Sequence, residues 1–401
     1  MWKPAADSQS KRALLLAPEA PYPLVGGGPA RTASLLEYLA RRYQTDLILF
    51  REDGAGDPAA AVPDGLVRSK YVITLPRHSR GKIARLTRNL WRLLRRRAPL
   101  NDRFGSFREP IRRALDGQRY DLAVVEHFWC AAYLPELAAA AKTVILDLHN
   151  IESALLESYA QVEPGLRALL WRRFARISLA EERRLLPSFS LVLAACEKDA
   201  QTVRSLAPEA RVAVYPNTIP HRPAPPVPEQ DVIVFSGNLE YPPNRHAVRY
   251  FASRIWPALR RERPELIWRI VGRNPEAVRP FLRGDPRVEL TGPVEDALPW
   301  IAAAKVVVVP VQCGSGTRVK ILEAWAAGRA VISTSFGAEG LPARSGEHLW
   351  VADGEEAFLQ AVLTLLNSEP LRRRLGESGR RLYEREFTWD AAWRRLADLA
   401  I

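Results

Sequence analysis

The stretch VVVVPVQCGSGTRVKILEAWAAG occupies residues 306–328 and combines three structural signals. The valine-rich start predicts a buried strand, the glycines that follow predict a tight turn, and the spacing of Ile321, Leu322 and Trp325 predicts a helix. A strand that enters a helix through glycines is typical of α/β proteins. The glycines admit a phosphate to the backbone, and the free amides and dipole of the first helical turn attract it. The stretch therefore predicts an α/β fold with an anion site at this turn.

Charged residues surround the same turn. Arg318 and Lys320 place two permanent positive charges within about one helical turn, as a doubly charged leaving diphosphate would require. Glu323 follows on the same helix, where a carboxylate can accept hydrogen bonds from both hydroxyls of a ribose. The alternative interpretation is a glycine turn followed by a solvated basic helix face, and spacing alone leaves both open.

The rest of the chain has the organisation of two domains. With 401 residues it is too long for one ordinary core, and its 47% hydrophobic content is that of a folded globular protein. Apolar runs of strand length alternate with helical segments throughout, which predicts parallel sheets covered by helices on both faces. The predicted strands lie at 13–17, 45–50, 121–126, 143–148, 191–194, 212–215, 231–236, 267–271, 288–290, 305–310 and 330–334.

A proline-dense segment, PNTIPHRPAPPVP, interrupts this alternation at residues 216–228. Prolines cannot donate to a sheet ladder and favour extended conformations, so the segment predicts a domain linker. Two doubly wound domains joined by one linker would place the carboxyl edges of two sheets across a cleft, where open α/β sheets bind ligands. The predicted division is a first domain at 1–215, a linker at 216–230, a second domain at 231–385 and a helix at 386–401 that could return to the first domain.

Composition argues against several classes of protein. No apolar run approaches the roughly 18–20 residues that cross a bilayer, so no membrane span is predicted. The three cysteines, Cys130, Cys196 and Cys313, lack the spacing of a disulfide framework or a zinc site, which favours a reducing cytosolic compartment. A formal net charge of +13 predicts an anionic partner. The sequence lacks RNA-binding and zinc-finger patterns, so nucleic acid is not the predicted partner.

Three segments together resemble a known family. They are GSGTRVKILEAWAAGRAVISTSFGAEGL at 314–341, VFSGNLEYPPNRHAV at 234–248 and YPNTI at 215–219. They resemble the retaining glycosyltransferases of family four, the glycosyl transferases group one, and the resemblance covers nearly the whole chain. It implies the GT-B fold, in which two Rossmann-like doubly wound domains face each other across a cleft. It also implies transfer of a sugar, with retention, from a nucleotide-diphosphate sugar to a lipid-linked or polysaccharide-precursor acceptor.

The resemblance assigns the donor site to the second domain. Glu323 stands where the family has a glutamate that binds the donor ribose, whereas Ser315 replaces a second glutamate that contacts the transferred sugar. The identity of that sugar is therefore not implied. The loop after the first strand of this domain offers Gly237, Asn238 and Asn244 in place of the family's Arg and Lys, so Arg318 and Lys320 are expected to supply the charge. The expected donor-binding residues are Gly27, Gly28, Gly237, Asn238, Gly314, Ser315, Gly316, Thr317, Arg318, Lys320 and Glu323.

Four further residues of interest lie in the first domain. The glycines at 26–28 separate a strand from the helix that carries Arg31, and the resemblance implies that this loop approaches the donor diphosphate or the acceptor. A simple flexible turn is the alternative. His149 matches a family histidine that contacts the donor sugar, and it joins Arg318, Lys320 and Glu323 as the expected catalytic set; a structural histidine is the alternative. Arg31, Glu126 and His127 are predicted to meet the acceptor, with Glu126 positioning a hydroxyl.

The resemblance also implies the chemistry. The acceptor enters on the face that the nucleotide leaves, and an oxygen of the leaving phosphate takes the acceptor proton. A protein nucleophile is then unnecessary, which fits the lack of an obvious pair of carboxylates of the glycosidase kind. Arg318, Lys320 and helix amides would replace a divalent cation, so no metal and no cofactor are expected.

Residues 77–97, RHSRGKIARLTRNLWRLLRRR, predict a basic amphipathic helix. Its apolar residues fall on one face and its cations on the other, as in helices that lie on anionic membranes. The alternative is a surface helix whose apolar stripe packs on its own domain. A membrane-bound helix would put the protein peripherally on the inner face of the plasma membrane. The apolar residues are Ile83, Leu86, Leu90, Trp91, Leu93 and Leu94.

Two other functions compete with glycosyl transfer. A sugar-nucleotide epimerase or hydrolase of the GT-B type would share the two domains and the nucleotide site. A nucleotide-sugar binding protein without activity is the second, because Ser315 replaces a family glutamate. The continuation EAWAAGRAVISTSFGAEGL at 323–341 favours the transferase.

Overall fold

A computed structural model of the chain describes residues 11–401 with the exception of residues 25, 80 and 315–318. The chain divides into two compact units, of which unit 1 ends at Tyr215 and unit 2 begins at Pro216. Cys130, Cys196 and Cys313 are buried free thiols. Within the described ranges, every helix is too short or too polar to cross a bilayer.

Unit 1 is built on a seven-stranded sheet in which every pairing is parallel. The inner strands are nearly continuous apolar runs, because helices cover both faces of a parallel sheet. The order across the sheet is β3-β2-β1-β4-β5-β6-β7. The strands are β1 (Arg12–Ala17), β2 (Gln44–Glu52), β3 (Ser69–Leu75), β4 (Tyr120–Glu126), β5 (Ala141–Asp147), β6 (Leu191–Ala194) and β7 (Val212–Val214).

Eight α-helices connect these strands in the described part of unit 1. They are α1 (Gly27–Ala40), α2 (Lys82–Leu94), α3 (Pro99–Phe104), α4 (Arg108–Leu115), α5 (Leu134–Ala140), α6 (Glu152–Val162), α7 (Leu166–Leu185) and α8 (Glu197–Leu206). Short 3₁₀ helices occupy Phe128–Tyr133 and Leu186–Ser188. The core lies between the sheet and helices, around buried residues such as Leu16, Val125 and Leu146.

Unit 2 repeats the plan with six parallel strands in the order β10-β9-β8-β11-β12-β13. The strands are β8 (Gln230–Ser236), β9 (Ile267–Val271), β10 (Val288–Leu290), β11 (Ala304–Val309), β12 (Ala330–Ser333) and β13 (Trp350–Val351). The α-helices are α9 (Pro242–Tyr250), α10 (Trp256–Glu262), α11 (Leu298–Ala302), α12 (Val319–Ala326), α13 (Ser335–Ala338), α14 (Glu355–Asn367), α15 (Glu369–Glu386) and α16 (Trp389–Asp398). A π-helical turn, Phe251–Ile255, links α9 to α10, and 3₁₀ turns lie at Pro275–Ala277 and Arg279–Phe281.

The proline-rich segment at 216–229 belongs to unit 2. The Tyr383 hydroxyl donates to the Pro220 carbonyl at 2.8 Å, and Arg380 donates to the Arg222 carbonyl at 2.9 Å. Arg372 Nη2 lies 2.5 Å from Glu229 Oε1. The segment is therefore fastened along its length to the last long helix, α15.

Each sheet contains one position where the strand order reverses, and open α/β sheets bind ligands at such positions, outside the carboxyl ends of the strands. In unit 1 this position lies between β1 and β4, and in unit 2 it lies between β8 and β11. The α/β class and the two Rossmann-like units predicted from the sequence are confirmed. Each predicted strand is present to within two residues, and the structure adds β3 and β13.

Candidate functional site

In unit 1, three functional side chains meet at the carboxyl ends of β4 and β5. Glu126 ends β4, His127 follows it, and His149 lies two residues beyond β5. His149 Nε2 is 3.0 Å from Glu126 Oε2 and 3.4 Å from Asp147 Oδ2. The rings of His127 and His149 stack with their centroids 3.7 Å apart. The structure therefore brings together three of the residues that the sequence analysis singled out.

Helix α1 completes this cluster from the side of β1. Arg31 is fully buried, and its Nε and Nη2 donate to the two carboxylate oxygens of Asp147 at 2.8 and 2.5 Å. Arg31 Nη1 donates to the Tyr215 carbonyl at 2.6 Å, and the Thr32 hydroxyl donates to Glu126. The Arg31 guanidinium is thus engaged in the interior, where it orients Asp147, and its contact with an acceptor stays a prediction.

The two stacked histidines have opposite electrostatic environments. Burial lowers the pKa of His149, but Glu126 and Asp147 outweigh burial and raise the pKa to about 9. Burial, the neighbouring His149 and Arg31 hold the pKa of His127 well below its ordinary value. At neutral pH the pair is therefore one charged imidazole, able to donate to a sugar hydroxyl, beside one neutral imidazole.

Several polar atoms of this cluster are buried without a hydrogen-bond partner among the residues that the structure describes. They are both ring nitrogens of His127 and Oε1 of Glu126. Buried polar groups in proteins are nearly always paired, so such atoms call for a ligand or a water molecule. They fit the hydroxyl groups of a sugar, which both donate and accept.

The same cluster has the composition of a metal site, although no metal was expected from the sequence. Glu126, His127 and His149 each offer one ligand atom, and these atoms lie within 4.8 Å of one another. A metal would require neutral His149, and therefore the release of the proton that Glu126 and Asp147 stabilise. The residues could hold a metal only against that electrostatic preference.

The glycine turn at the start of α1 passes this cluster. Gly27 and Gly28 form the first turn of α1. A Cβ atom at Gly28 would lie 3.2 Å from Glu19 Oε2 and 3.9 Å from His149 Nδ1. The free amides of the helix N-terminus are thus close to the charged imidazole, which is an arrangement suited to an anion or a polar sugar.

In unit 2, the end of β8 meets α9 and α12. Ser236 ends β8, and Gly237 and Asn238 follow it. Lys320 Nζ donates to Asn244 Oδ1 at 2.6 Å and lies 4.1 Å from the centroid of the Phe235 ring. Asn244 Nδ2 donates to the Asn238 carbonyl at 2.8 Å. These contacts fix a buried cation directly behind the loop that follows β8.

Two glycines make this loop possible. Gly237 has φ 142°, and a Cβ atom there would lie 2.7 Å from Asn244 Nδ2 and 3.3 Å from Lys320 Nζ. Gly272, which follows β9, has φ 153°, and its Cβ atom would lie 1.9 Å from the Gly237 carbonyl oxygen. The backbone therefore turns sharply beside Lys320 with no side chain to block the approach of a ligand.

Glu323 lies one helical turn beyond Lys320 on α12. Its Oε2 accepts from the Ser236 hydroxyl at 3.4 Å. Burial raises the pKa of Glu323 to about 7, against the opposing effects of Lys320 and Ser236. The side chain nevertheless keeps part of its surface open to solvent. A carboxylate that is largely desolvated but still reachable is well placed to accept hydrogen bonds from a sugar ring.

The structure thus brings together four of the predicted donor residues, namely Gly237, Asn238, Lys320 and Glu323. Gly314 is buried and has φ 116°. Ser315, Gly316, Thr317 and Arg318 lie outside the described residues.

The sequence analysis missed Ser236 and Gly272 in unit 2, and Asp147 and Thr32 in unit 1. A glycine directly after the predicted strand at 267–271 was the available signal for Gly272, and an aspartate at the end of a buried strand was the signal for Asp147.

Comparisons with known proteins agree with the fold. Residues 230–368 match the model of the family described as Glycosyl transferases group 1. A curated protein from Klebsiella pneumoniae, described as an uncharacterized 44.6 kDa protein in the cps region, is 21% identical over 363 residues, which is 87% of this chain and 89% of that protein.

Solved structures share the whole architecture at low sequence identity. Sucrose-phosphate synthase from Thermosynechococcus elongatus is 18% identical with a TM-score of 0.74, over 97% of this chain and 98% of that one. Anabaena HepE in complex with UDP and glucose is 15% identical with a TM-score of 0.65, over 97% and 99%. A variant of S. aureus TarM, in complex with fondaparinux, alpha-GlcNAc-glycerol and UDP, is 10% identical with a TM-score of 0.67, over 97% and 99%.

Proposed function

We propose that the protein, whose residues 230–368 match the model of the Glycosyl transferases group 1 family, is a glycosyltransferase. It would transfer a sugar with retention from a nucleotide-diphosphate sugar to a lipid-linked polysaccharide precursor. The observation that carries this proposal is Glu323 beside Lys320 and Gly237, at the point where the strand order of unit 2 reverses. The reachable carboxylate matches the ribose, and the buried ammonium group matches the diphosphate. The backbone turn without side chains leaves room for the linkage between them.

The donor nucleotide that we propose is a uridine diphosphate sugar. The complexes of Anabaena HepE and S. aureus TarM contain UDP. In this chain Glu323 would accept the ribose hydroxyls, and Lys320 with the amides of α12 would face the diphosphate. The sequence places Arg318 in the same turn as a second cation.

The cluster of unit 1 would bind sugar hydroxyls. Charged His149 donates to a hydroxyl of the transferred sugar, while Glu126 Oε1 and neutral His127 are available to hydroxyls of the acceptor. The bond between the anomeric carbon and the phosphate oxygen breaks, and the bond to the acceptor oxygen forms on the same face. The acceptor proton passes to the phosphate oxygen that leaves. Lys320 and Arg318 stabilise the negative charge that develops there, so the proposed reaction needs no metal.

An exposed apolar row on α2 supports a membrane-bound acceptor. Ile83, Leu86, Leu90 and Leu94 are 80%, 73%, 59% and 70% exposed. Arginines alternate with this row along the helix, which gives the surface the charge that attracts anionic lipids. The relative in the cps region supports a polysaccharide precursor as the acceptor.

The contacts of α2 and α7 fit the same surface. Leu93 packs with Leu170 and Trp171 of α7 against buried Phe174, and this contact anchors α2. Ile83, Leu86, Leu90 and Leu94 stay exposed, uncovered by the described residues. Leu166 and Leu169, at the start of α7, are exposed as well. The two neighbouring helices together form a surface that a bilayer would cover.

A panel of nucleotide sugars tests this function. We expect UDP-sugars to raise the melting temperature more than GDP- and ADP-sugars, since a ligand at about 100 times its Kd stabilises the native state by about 2.7 kcal/mol. A transferase releases free nucleotide slowly from its donor and faster when a membrane extract supplies acceptors. An epimerase would instead convert the donor without an acceptor, and a binding protein would release none. Absence of a shift with every nucleotide sugar would contradict the proposal.

A further inference from the structure

Unit 1 contains a cavity that the donor and acceptor residues described above do not use. It has a volume of 430 Å³ and is lined by Glu52, Arg77, His78 and Ser79. Glu52 ends β2, and the other three residues follow β3. The cavity therefore lies at the carboxyl ends of two neighbouring parallel strands, which is the edge of an open α/β sheet where ligands bind.

The cavity has an excess of positive charge. Its one carboxylate, Glu52, is neutralised by Arg103, whose Nη2 lies 3.2 Å from Glu52 Oε1 and whose Nη1 donates to the Pro76 carbonyl at 3.0 Å. Arg88 donates to the Ser79 carbonyl at 3.3 Å. Within the part of the chain that the structure describes, no carboxylate lies within 4.0 Å of Arg77 or Arg88.

Two groups around the cavity respond to this charge. Burial lowers the pKa of His78, and Arg103, Arg88 and Arg92 lower it further. Burial also lowers the pKa of Arg88, with Arg92, Arg85 and Arg103 adding to the effect. Both shifts are those of groups in a positive potential, which an anionic ligand would relieve.

The cavity lies on the same sheet edge as the residues that we propose bind the acceptor. Only β1 separates β2 from β4 in the sheet, and the register places Glu126 level with Leu49, three residues before the end of β2 at Glu52. The ends of β2 and β4 therefore lie about 14 Å apart at the usual strand spacing of about 4.8 Å and rise of about 3.3 Å per residue. Glu126 and His127 stand at the end of β4. A phosphate held in the cavity could therefore belong to the same molecule as a sugar whose hydroxyl reaches Glu126.

The helix with the exposed apolar row begins directly after the cavity. Ser79 lines the cavity, α2 starts at Lys82, and Arg88 of α2 reaches back to the Ser79 carbonyl. A lipid tail attached to a phosphate in the cavity would thus meet Ile83 and Leu86, which point into solvent in the described structure.

We propose that the cavity of Glu52, Arg77, His78 and Ser79 binds the phosphate or diphosphate that links the acceptor sugar to its lipid. The inference rests on the proposed function, since it specifies the acceptor class of that reaction. Arg77 and Arg88 hold the phosphate oxygens, the sugar extends along the sheet edge towards Glu126, and the tail leaves along α2.

Binding measurements with short prenyl probes test the cavity directly. Saturating UDP is present throughout, so that the nucleotide site of unit 2 is filled. We expect farnesyl diphosphate to bind. Farnesol at equal concentration should bind at least about tenfold more weakly, because it lacks the phosphate groups that accept charge-assisted hydrogen bonds. Equal binding of farnesol would overturn the proposal, since the apolar row alone would then explain the affinity. If inorganic diphosphate binds as tightly as farnesyl diphosphate, the phosphate site stands and its natural ligand is a soluble phosphate.

Three variants locate the bound phosphate. Arg77→Ala should weaken farnesyl diphosphate roughly tenfold, because it removes a cation from the lining. Glu52→Gln should strengthen binding, since it removes the only carboxylate of the lining and releases Arg103. Arg173→Ala is the matched control, because it removes the same charge from an exposed position on α7 of the same unit and does not line the cavity.

The outcomes separate this inference from the proposed function. Equal effects of Arg77→Ala and Arg173→Ala would mean non-specific attraction and would overturn the cavity as the site. Normal binding of UDP together with no binding of farnesyl diphosphate would remove the inference and leave the proposed function intact. Failure to bind UDP would instead remove the proposed function.

Discussion

Arg31 on α1 and Asp147 at the end of β5 form an ion pair in which both side chains are fully buried. Removal of the guanidinium would leave the Asp147 carboxylate in the interior without its bidentate partner, with only His149, at 3.4 Å, as a neighbouring cation. We therefore expect Arg31→Met to lower the free energy of unfolding by about 3–5 kcal/mol. Urea denaturation followed by circular dichroism measures this change.

A control for that prediction is available at the carboxyl end of the same helix, α1. Arg41→Met loosens an exposed pair with Glu37, at 3.9 Å, and should lower the free energy of unfolding by less than about 1 kcal/mol. The double variant Arg31→Met with Asp147→Leu should recover part of the loss, because the carboxylate that lost its bidentate partner is then removed as well. Equal stability of the Arg31→Met and Arg41→Met variants would show that the buried pair has no special weight.

His149 makes stability depend on alkaline pH. Its folded pKa of about 9 lies above its ordinary value, so the protonated form favours the native state. This contribution is complete below about pH 6.5 and is lost as the pH rises through about 9. Glu152, whose pKa burial raises to about 8, also titrates in this range.

The difference between two pH profiles isolates the histidine. We expect the free energy of unfolding of the wild type to fall more steeply between about pH 7 and about pH 9.5 than that of His149→Gln, which retains Glu152. Parallel profiles would mean that His149 is not charged in the folded protein. An NMR titration of the His149 ring gives an independent reading of the same pKa.

Glu323 should make donor binding sensitive to mild acid. Its pKa is raised to about 7 by burial, and only the carboxylate accepts hydrogen bonds from both ribose hydroxyls. The Kd for UDP should therefore rise as the pH falls through about 7, by up to about tenfold per pH unit. Isothermal titration calorimetry between pH values of about 6 and about 8 covers this range.

The variant Glu323→Gln should bind UDP about 10 to 100 times more weakly at a pH near 8, because it loses hydrogen bonds to a charged group. The part of the pH dependence that belongs to Glu323 should also disappear, so that only the ionisation of the UDP phosphate, with a pKa of about 6, remains. Glu377→Gln is the matched control, since Glu377 is exposed on α15 of the same unit. A wild-type slope that persists in Glu323→Gln would assign the titration to another group.

Gly272 should be among the least replaceable residues of unit 2. A Cβ atom would lie 1.9 Å from the Gly237 carbonyl oxygen, so the ends of β8 and β9 would have to separate. We expect Gly272→Ala to lower the free energy of unfolding by about 3 kcal/mol or more. Gly54→Ala shares a positive φ, 76°, but meets no atom within 4 Å, and it should cost only about 1 kcal/mol. Similar losses for the two variants would mean that φ, rather than the close approach, is decisive.

The exposed row of α2 should bind anionic membranes. We expect the wild type to sediment with vesicles of phosphatidylglycerol and phosphatidylcholine at low salt, and Leu86→Glu to sediment much less. Because Leu86 is mostly exposed, this variant should change the free energy of unfolding by less than about 0.5 kcal/mol. Leu399→Glu, at an exposed position of unit 2, is the control and should sediment as the wild type does. A wild type that stays in the supernatant would contradict the membrane surface.

Strands that are buried on both faces of the sheet could be predicted from the sequence. The run of four valines in β11 leaves no other simple interpretation. β3 was missed because it lies at the edge of its sheet and mixes polar with apolar residues in SKYVITL. β13 has only two residues, which is too short for any periodic signal.

Only features of the site that lie close together in the sequence could be predicted from it. Gly237, Lys320 and Glu323 were predicted because each lies next to a strand end or on a recognisable helix. The pairing of Arg31 with Asp147 joins residues 116 positions apart, and no local pattern encodes such a contact. The spacing of Arg31 from the glycines likewise says nothing of which way its guanidinium turns.

Tyr215, the last residue of unit 1, has a consequence for the order in which the protein is made. Its carbonyl accepts from Arg31 and its hydroxyl donates to Ser34, across 184 and 181 residues of chain. At about 5–20 residues per second, α1 waits roughly 10 to 40 s on the ribosome before this partner is synthesised. Unit 1 can therefore complete these contacts only after its final residue has been synthesised. A nascent chain that stops earlier lacks the Tyr215 carbonyl, which is one of the hydrogen-bond acceptors of Arg31.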